Sequence, residues 1–231
     1  MHTPTHRGLT RYDAGMLLVC CIWGANYSIT KHALAELPPL PFAALRYSMS
    51  SVLLLLLVRW LEPGGRVTSR GAVLWLVGLG LLGNGLNPIL FLLGLERTSA
   101  TNTALIFASL PALVAVFGVM FGVEVPHRRT WLGIAIATVG VVMVVTARGV
   151  EFSSRTVVGD VLNLTAAVLW ALFTVGLRRI SGLVSPLRTT ALTTLVGAPG
   201  LVLVAIPTLP AVRWTEVSPG TWLALLYATV L

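Results

Sequence analysis

The sequence predicts an all-α fold, a polytopic membrane helix bundle of two inverted five-helix repeats with the second incomplete. Three observations carry that expectation. Only 10% of the 231 residues are charged, 56% are hydrophobic and the mean hydropathy is +0.88. A soluble domain carries about 25% charged residues, so this chain lacks the polar surface to cover a water-soluble globule. Apolar runs of spanning length follow one another along the whole chain, and the chain matches itself at a fixed shift.

A spanning helix needs about 20 mostly apolar residues. By that measure spans run over 14–32, 40–59, 71–93, 99–121, 130–147, 158–177 and 187–207, and an eighth begins near Thr221. Turn chemistry separates them at Pro38-Pro39, Pro63-Gly64-Gly65, Val125-Pro126, Ser185-Pro186 and Ser218-Pro219. Residues 1–12, polar and containing Pro4, read as a cytoplasmic tail. No small-residue cleavage site follows the first apolar run, so that run reads as a span and not a signal peptide. With the N-terminus in the cytoplasm, inner segments hold ten basic residues and outer ones five. The positive-inside rule therefore orients the chain N-in, and the expected location is a plasma (inner) membrane.

The self-match is the most specific signal. Shifted by 147 residues without gaps, Asp13 falls on Asp160, Trp23 on Trp170, Pro39 on Pro186, Pro63 on Pro210 and Trp75 on Trp222. The unit, residues 13–147, holds five spans. An odd number makes the next copy, 156–231, start on the opposite side of the membrane, so the copies are inverted. Inverted repeats are the architecture of many secondary transporters, with the binding site near the midplane where the repeats meet. The second copy stops at the equivalent of Asn84, and the expectation is a fragment of a ten-span protein whose complete copy would run about 60 residues further.

Polar groups inside the bilayer are expensive and face a cavity or a partner. Asn26, Tyr27 and Ser28 cluster in the first span. Asn84 and Asn87, three residues apart, share one helix face in the third, and Pro88 beside them frees a carbonyl, which suggests a broken helix facing substrate. Asn102 lies in the fourth span. The alternative for these groups is that they glue helices together. Arg46 sits about 9 Å into the second span at 1.5 Å per residue. There it either binds an anionic group such as a carboxylate or snorkels to the interface. Trp23 and Trp170 either line a central cavity or pack where the repeats meet. Lys31 and Arg178 read as helix-ending residues at the interface. The Gly118-to-Gly122 spacing fits a small-xxx-small helix contact.

Several function classes are excluded. The formal charge of +8 does not point to nucleic acid, because the basic residues lie between apolar runs and form no patch. Cys20 and Cys21 are adjacent and supply neither a disulfide framework nor metal-ligand spacing. No metal site, cofactor motif or catalytic constellation is expected, and no P-loop indicates a primary pump. A membrane enzyme on lipid-linked substrates would need clustered acidic or His residues, which are scattered here.

The order and spacing of several short motifs resemble the drug/metabolite transporter superfamily, in particular its EamA-domain members. They are Trp23-Gly24-Ala25-Asn26 with Lys31, Pro39-Leu40 through Ala44-Leu45-Arg46-Tyr47, Gly94-Leu95 with Thr98-Ser99-Ala100, and Ser109-Leu110-Pro111. Glu124, Trp131-Leu132-Gly133 with Gly140, Gly159-Asp160 and Leu169-Trp170-Ala171-Leu172 continue the series. The resemblance implies ten helices in two inverted repeats, and export or exchange of small metabolites, amino acids or drugs. The expected partners are a small-molecule substrate and the lipid bilayer. A non-transporting membrane fragment is the alternative. The expected substrate path comprises Trp23, Asn26, Tyr27, Arg46, Asn84, Asn87, Asn102 and Trp170.

Overall fold

A computed structural model describes residues 11–65, 67, 69–123, 125, 127–148 and 154–230. Most of the stretch read as a tail, and Glu124, lie outside the described residues. Helices and turns build the described residues, with no strand among them. The first spans are α1 (Arg11–Ala33) and α2 (Pro39–Leu61). The third is composite: α3 (Arg70–Leu79), a π-helical stretch (Gly80–Leu86) and α4 (Asn87–Arg97). The fourth is α5 (Ala100–Ala108) and α6 (Leu110–Met120). Then come α7 (Arg128–Arg148), α8 (Ser154–Arg178), α9 (Pro186–Ala205) and α10 (Pro219–Val230). Among the described residues, five spans, 39–61, 70–97, 100–120, 156–178 and 186–211, are long and apolar enough to cross a membrane. Their outward faces, with Leu74, Met120 and Leu203 among them, are exposed and apolar, as is Leu132 on α7.

Local chemistry sets the helix ends. Pro39 and Pro186 occupy first turns, where a missing N–H costs nothing. Ser69, Ser99 and Ser185 cap α3, α5 and α9 by accepting from the N–H groups of Ala72, Asn102 and Arg188 at 3.4, 3.0 and 3.2 Å. After α2, α6 and α8 the chain reverses at Gly64, Gly122 and Gly182, with φ of +82°, +63° and +87°, a region that favours glycine. This corrects the reading of Gly118 and Gly122 as a contact pair. Gly118 is buried on α6, but Gly122 is a turn residue with no atom in reach of an added Cβ.

The third span is wound differently, not broken. Pro88 has no N–H to donate to the carbonyl of Asn84 four residues earlier, and the Asn87 N–H bonds back five residues to the Leu82 carbonyl. The wider turn keeps the helix continuous where a break was expected. The fourth span is interrupted at Ser109, whose hydroxyl donates to the Ile106 carbonyl at 2.6 Å ahead of Pro111.

The helices pack in a definite order. α2 lies along α9, α4 along α8, and the π-helical stretch against α9. α10 touches both α1 and α2, and α7 rests on α5 and α6. Small residues permit the closest approaches: the amide of Asn163 fills the place of a Gly94 side chain, and the backbone of Asn84 that of Gly197. One apolar core joins Leu37, Phe42, Leu92, Leu201 and Leu225, and a second joins Leu76, Leu79, Phe173 and Ile180.

Candidate functional site

α1, α2, the third and fourth spans, α8, α9 and α10 border a central cavity of about 340 Å³. Of the eight residues expected along a substrate path, seven border it: Trp23, Asn26, Tyr27, Arg46, Asn84, Asn87 and Trp170. Each arrives by a local cause. Trp23, Asn26 and Tyr27 fall within about one turn of α1. Arg46 and Ser50 are four apart on α2 and share a face. Asn84 and Asn87 are presented by the π-helical stretch and the turn after it.

The cavity lining is part polar and part aromatic. Arg46 lies over the Tyr47 ring at 5.4 Å and meets no carboxylate among the described residues. Among the described residues, no acidic side chain lines the cavity. The Asn84 side chain is 7% exposed and makes no hydrogen bond among the described residues, so its amide is available to a ligand. The amide of Asn87 donates to the Ala166 carbonyl of α8 at 2.6 Å. It therefore joins two helices as well as bordering the space. Asn26 accepts a hydrogen bond from Thr30 at 3.3 Å. Also bordering it, Tyr27, Phe91 and Phe107 form a mutual cluster with ring centres 6.1, 6.1 and 5.3 Å apart. Trp170 is braced by Phe173 at 5.1 Å. A guanidinium, the available Asn84 amide and aromatic rings around one space suit an organic solute with one anionic or polar end and an apolar body.

The eighth residue, Asn102, lies elsewhere. Its amide is 3.3 Å from one Asp160 carboxylate oxygen and 3.4 Å from the other. Thr98 donates to the same carboxylate at 2.6 Å, and Asn163 donates to Thr103 at 2.9 Å. These contacts tie α4 and α5 to α8. Most other intramembrane hydroxyls bond back to their own helix: Thr165 to the Val161 carbonyl and Thr174 to that of Trp170, both at 2.8 Å. Lys31 caps the end of the third span, donating to the carbonyls of Leu95, Glu96 and Thr98. That placement satisfies carbonyls left open at a helix C-terminus.

Sequence reasoning passed over Tyr47, Ser50, Phe91, Phe107, Thr190 and Thr194, which also border the cavity. The i, i+4 spacing of Ser50 from Arg46, and of Thr194 from Thr190, was the available signal. The hydroxyl of Ser50 donates to the Thr229 carbonyl of α10 at 2.8 Å.

Residues 10–146 match the EamA-like transporter family. The chain is 30% identical over 207 residues to the uncharacterized transporter YyaM of Bacillus subtilis, covering 88% of this chain and 68% of that protein. It is 32% identical over 165 residues to an uncharacterized transporter of Archaeoglobus fulgidus, covering 69% and 55%. The uncharacterized inner membrane transporter YedA of Escherichia coli is 29% identical over 153 residues, covering 65% and 47%. The chain thus spans about half to two thirds of these relatives' length. No solved structure matches it. Apolar spanning helices, a matching family model and relatives named as transporters together show that the chain belongs to the EamA-like transporter family of multi-pass membrane proteins.

Proposed function

We propose that this chain carries the solute path of a secondary transporter for small organic metabolites, working as an exporter across the plasma (inner) membrane by alternating access. The N-terminus lies in the cytoplasm. The solute sits in the central cavity, with a carboxylate or similar group on Arg46, polar atoms on Asn84 and Asn26, and its apolar body against Tyr27, Phe91 and Trp170. Amino acids and drug-like amphiphiles have this form.

The observation that carries the reading is that both copies of the proposed inverted repeat meet at this cavity. α1 and α8, related by the 147-residue shift, supply Trp23 and Trp170 to its wall. α2 packs on its own counterpart α9. The third span packs on α8, as the start of the eighth, α10, packs on α1. α10 corresponds to residues 72–83, at the start of the third span, so the two contacts are partial counterparts under exchange of the copies, an arrangement found in many alternating-access transporters. The division into units 13–147 and 156–231 is part of this proposal.

The test is solute flux in proteoliposomes across a panel of amino acids and amphiphilic organic anions and cations. Arg46→Ala is expected to lower transport of carboxylate-bearing solutes on the order of tenfold or more, the scale of a hydrogen bond to a charged group. Asn84→Ala is expected to lower it less. Wild-type flux in both variants, with normal insertion, would remove this site assignment.

A further inference from the structure

A second and larger cavity, about 810 Å³, opens where α2 ends and α3 begins, and it shares no lining residue with the central one. α2 and α3 are consecutive, and both pack against α9, which contributes a wall of the groove. Its inner walls are apolar: Leu55 and Val58 of α2, Val73, Leu76 and Val77 of α3, and Val196 of α9. From Arg188 to Val196 the wall extends about 12 Å along α9 at 1.5 Å per residue.

The rim differs from the walls. Arg188 donates to the Glu62 carbonyl at 2.7 Å and pairs with the Glu62 carboxylate at 3.7 Å. That carboxylate also accepts from the Ser185 hydroxyl at 2.6 Å. The Arg188 guanidinium fills the space a side chain on Gly65 would need, so the turn and α9 are locked at this corner. Arg59 lies beside this corner, exposed and without a carboxylate partner among the described residues. Among the described residues, the rim sets two cations, Arg59 and Arg188, against one anion, Glu62. Trp60, 78% exposed, stands next to it, as aromatic residues do at the membrane–water boundary.

An apolar slot that enters the membrane under a cationic rim matches one kind of molecule in both halves. We propose that the groove is a binding site for an anionic phospholipid, its phosphate on the exposed Arg59 beside the Arg188–Glu62 corner, and an acyl chain along Leu55, Leu76, Val77 and Val196. A free phosphate leaves the apolar walls unfilled, and a zwitterionic lipid brings a cation toward Arg59. Basic pockets between membrane helices bind anionic headgroups in this way. The site does not depend on the transport reading.

The experiment uses the full chain in mild detergent, titrated with phosphatidylglycerol, phosphatidylcholine or water-soluble glycerol 3-phosphate, with bound ligand counted by native mass spectrometry. Phosphatidylglycerol is expected to be retained, phosphatidylcholine more weakly and glycerol 3-phosphate not at all. Arg59→Gln is expected to lower phosphatidylglycerol retention roughly fivefold, the worth of one arginine near an anionic lipid, and Arg59→Lys to preserve it. Val77→Trp, which fills the groove without touching the rim, is expected to displace the lipid. Retention unchanged in both Arg59→Gln and Val77→Trp overturns the proposal. So does equal retention of the two lipids, or binding of glycerol 3-phosphate as tight as that of phosphatidylglycerol. If Val77→Trp does not fold, the Arg59 pair and the three ligands decide.

Discussion

Single side chains here answer to their hydrogen-bond partners more than to their depth in the bilayer. Asn102 and Asn84 are equally buried, yet Asn102 is held by Asp160 and Asn84 faces open space. Residue type and span do not separate the two, because the distinction rests on which helix lies opposite. Glu36, in the turn between α1 and α2, accepts from the Ser218 N–H at 2.8 Å and the Thr221 hydroxyl at 2.7 Å. The Ser218 N–H first, then the hydroxyls, hold its carboxyl below the ordinary value of 4.5, and His32 adds to the effect. A lowered native value means the ionised carboxylate stabilises the fold above the ordinary value, and this is lost as pH falls through the lowered one. The thermal midpoint of the detergent-solubilised protein is expected to drop as pH falls below the ordinary carboxylate value of 4.5 and through the lowered one. Glu36→Gln is expected to shrink that drop and to lower the midpoint near neutrality. Identical pH profiles for the two proteins would refute the linkage.

Secondary-structure elements were legible wherever an apolar run met turn chemistry. The third span, read as 71–93, runs Arg70–Arg97, and the seventh, read as 187–207, begins at Pro186 behind its Ser185 cap. The π-helical winding of 80–86 was not legible. Pro88 signals a disturbed ladder, but whether the helix breaks, kinks or widens depends on what packs against it. Here α9 does, with Gly197 under the Asn84 backbone. A Cβ at Gly197 would stand 2.8 Å from the Asn84 Cβ and nearer still to its carbonyl. Gly197→Ala is therefore expected to cost about 1–3 kcal/mol through overpacking. Gly200→Ala, on the same helix with no atom in reach, is expected to be neutral or to stabilise by up to about 1 kcal/mol from helix propensity. Thermal unfolding of the two variants side by side checks the contrast, and equal midpoints would count against the close approach.

For the molecule as a whole, the all-helical fold class was readable because a bilayer leaves the backbone few ways to satisfy its own polar groups. Pairings between distant helices were not. Glu62 with Arg188, Trp75 with the Gly176 carbonyl and Tyr227 with that of Ile22 join residues far apart in sequence. Nothing in hydropathy marks them. Sidedness is a molecular property with a direct test. In a background carrying Cys20→Ser and Cys21→Ser, Pro63→Cys and Leu183→Cys are expected to resist an impermeant maleimide in intact cells. Ala35→Cys and Thr215→Cys are expected to react. All four reacting alike would contradict the alternation of the spans, and the reverse pattern would invert the orientation.

The widened turn at 80–86 has a consequence for how this sequence can change. It holds surplus residues relative to an α-helical path, and each residue added to or removed from a helix rotates the residues beyond it by about 100°. Elsewhere in the third span a one-codon insertion or deletion would swing Phe91 away from the central cavity and Gly94 away from α8. Inside this stretch the winding can tighten or loosen to absorb the change. Length variation within the spans of its relatives should therefore collect at this one place.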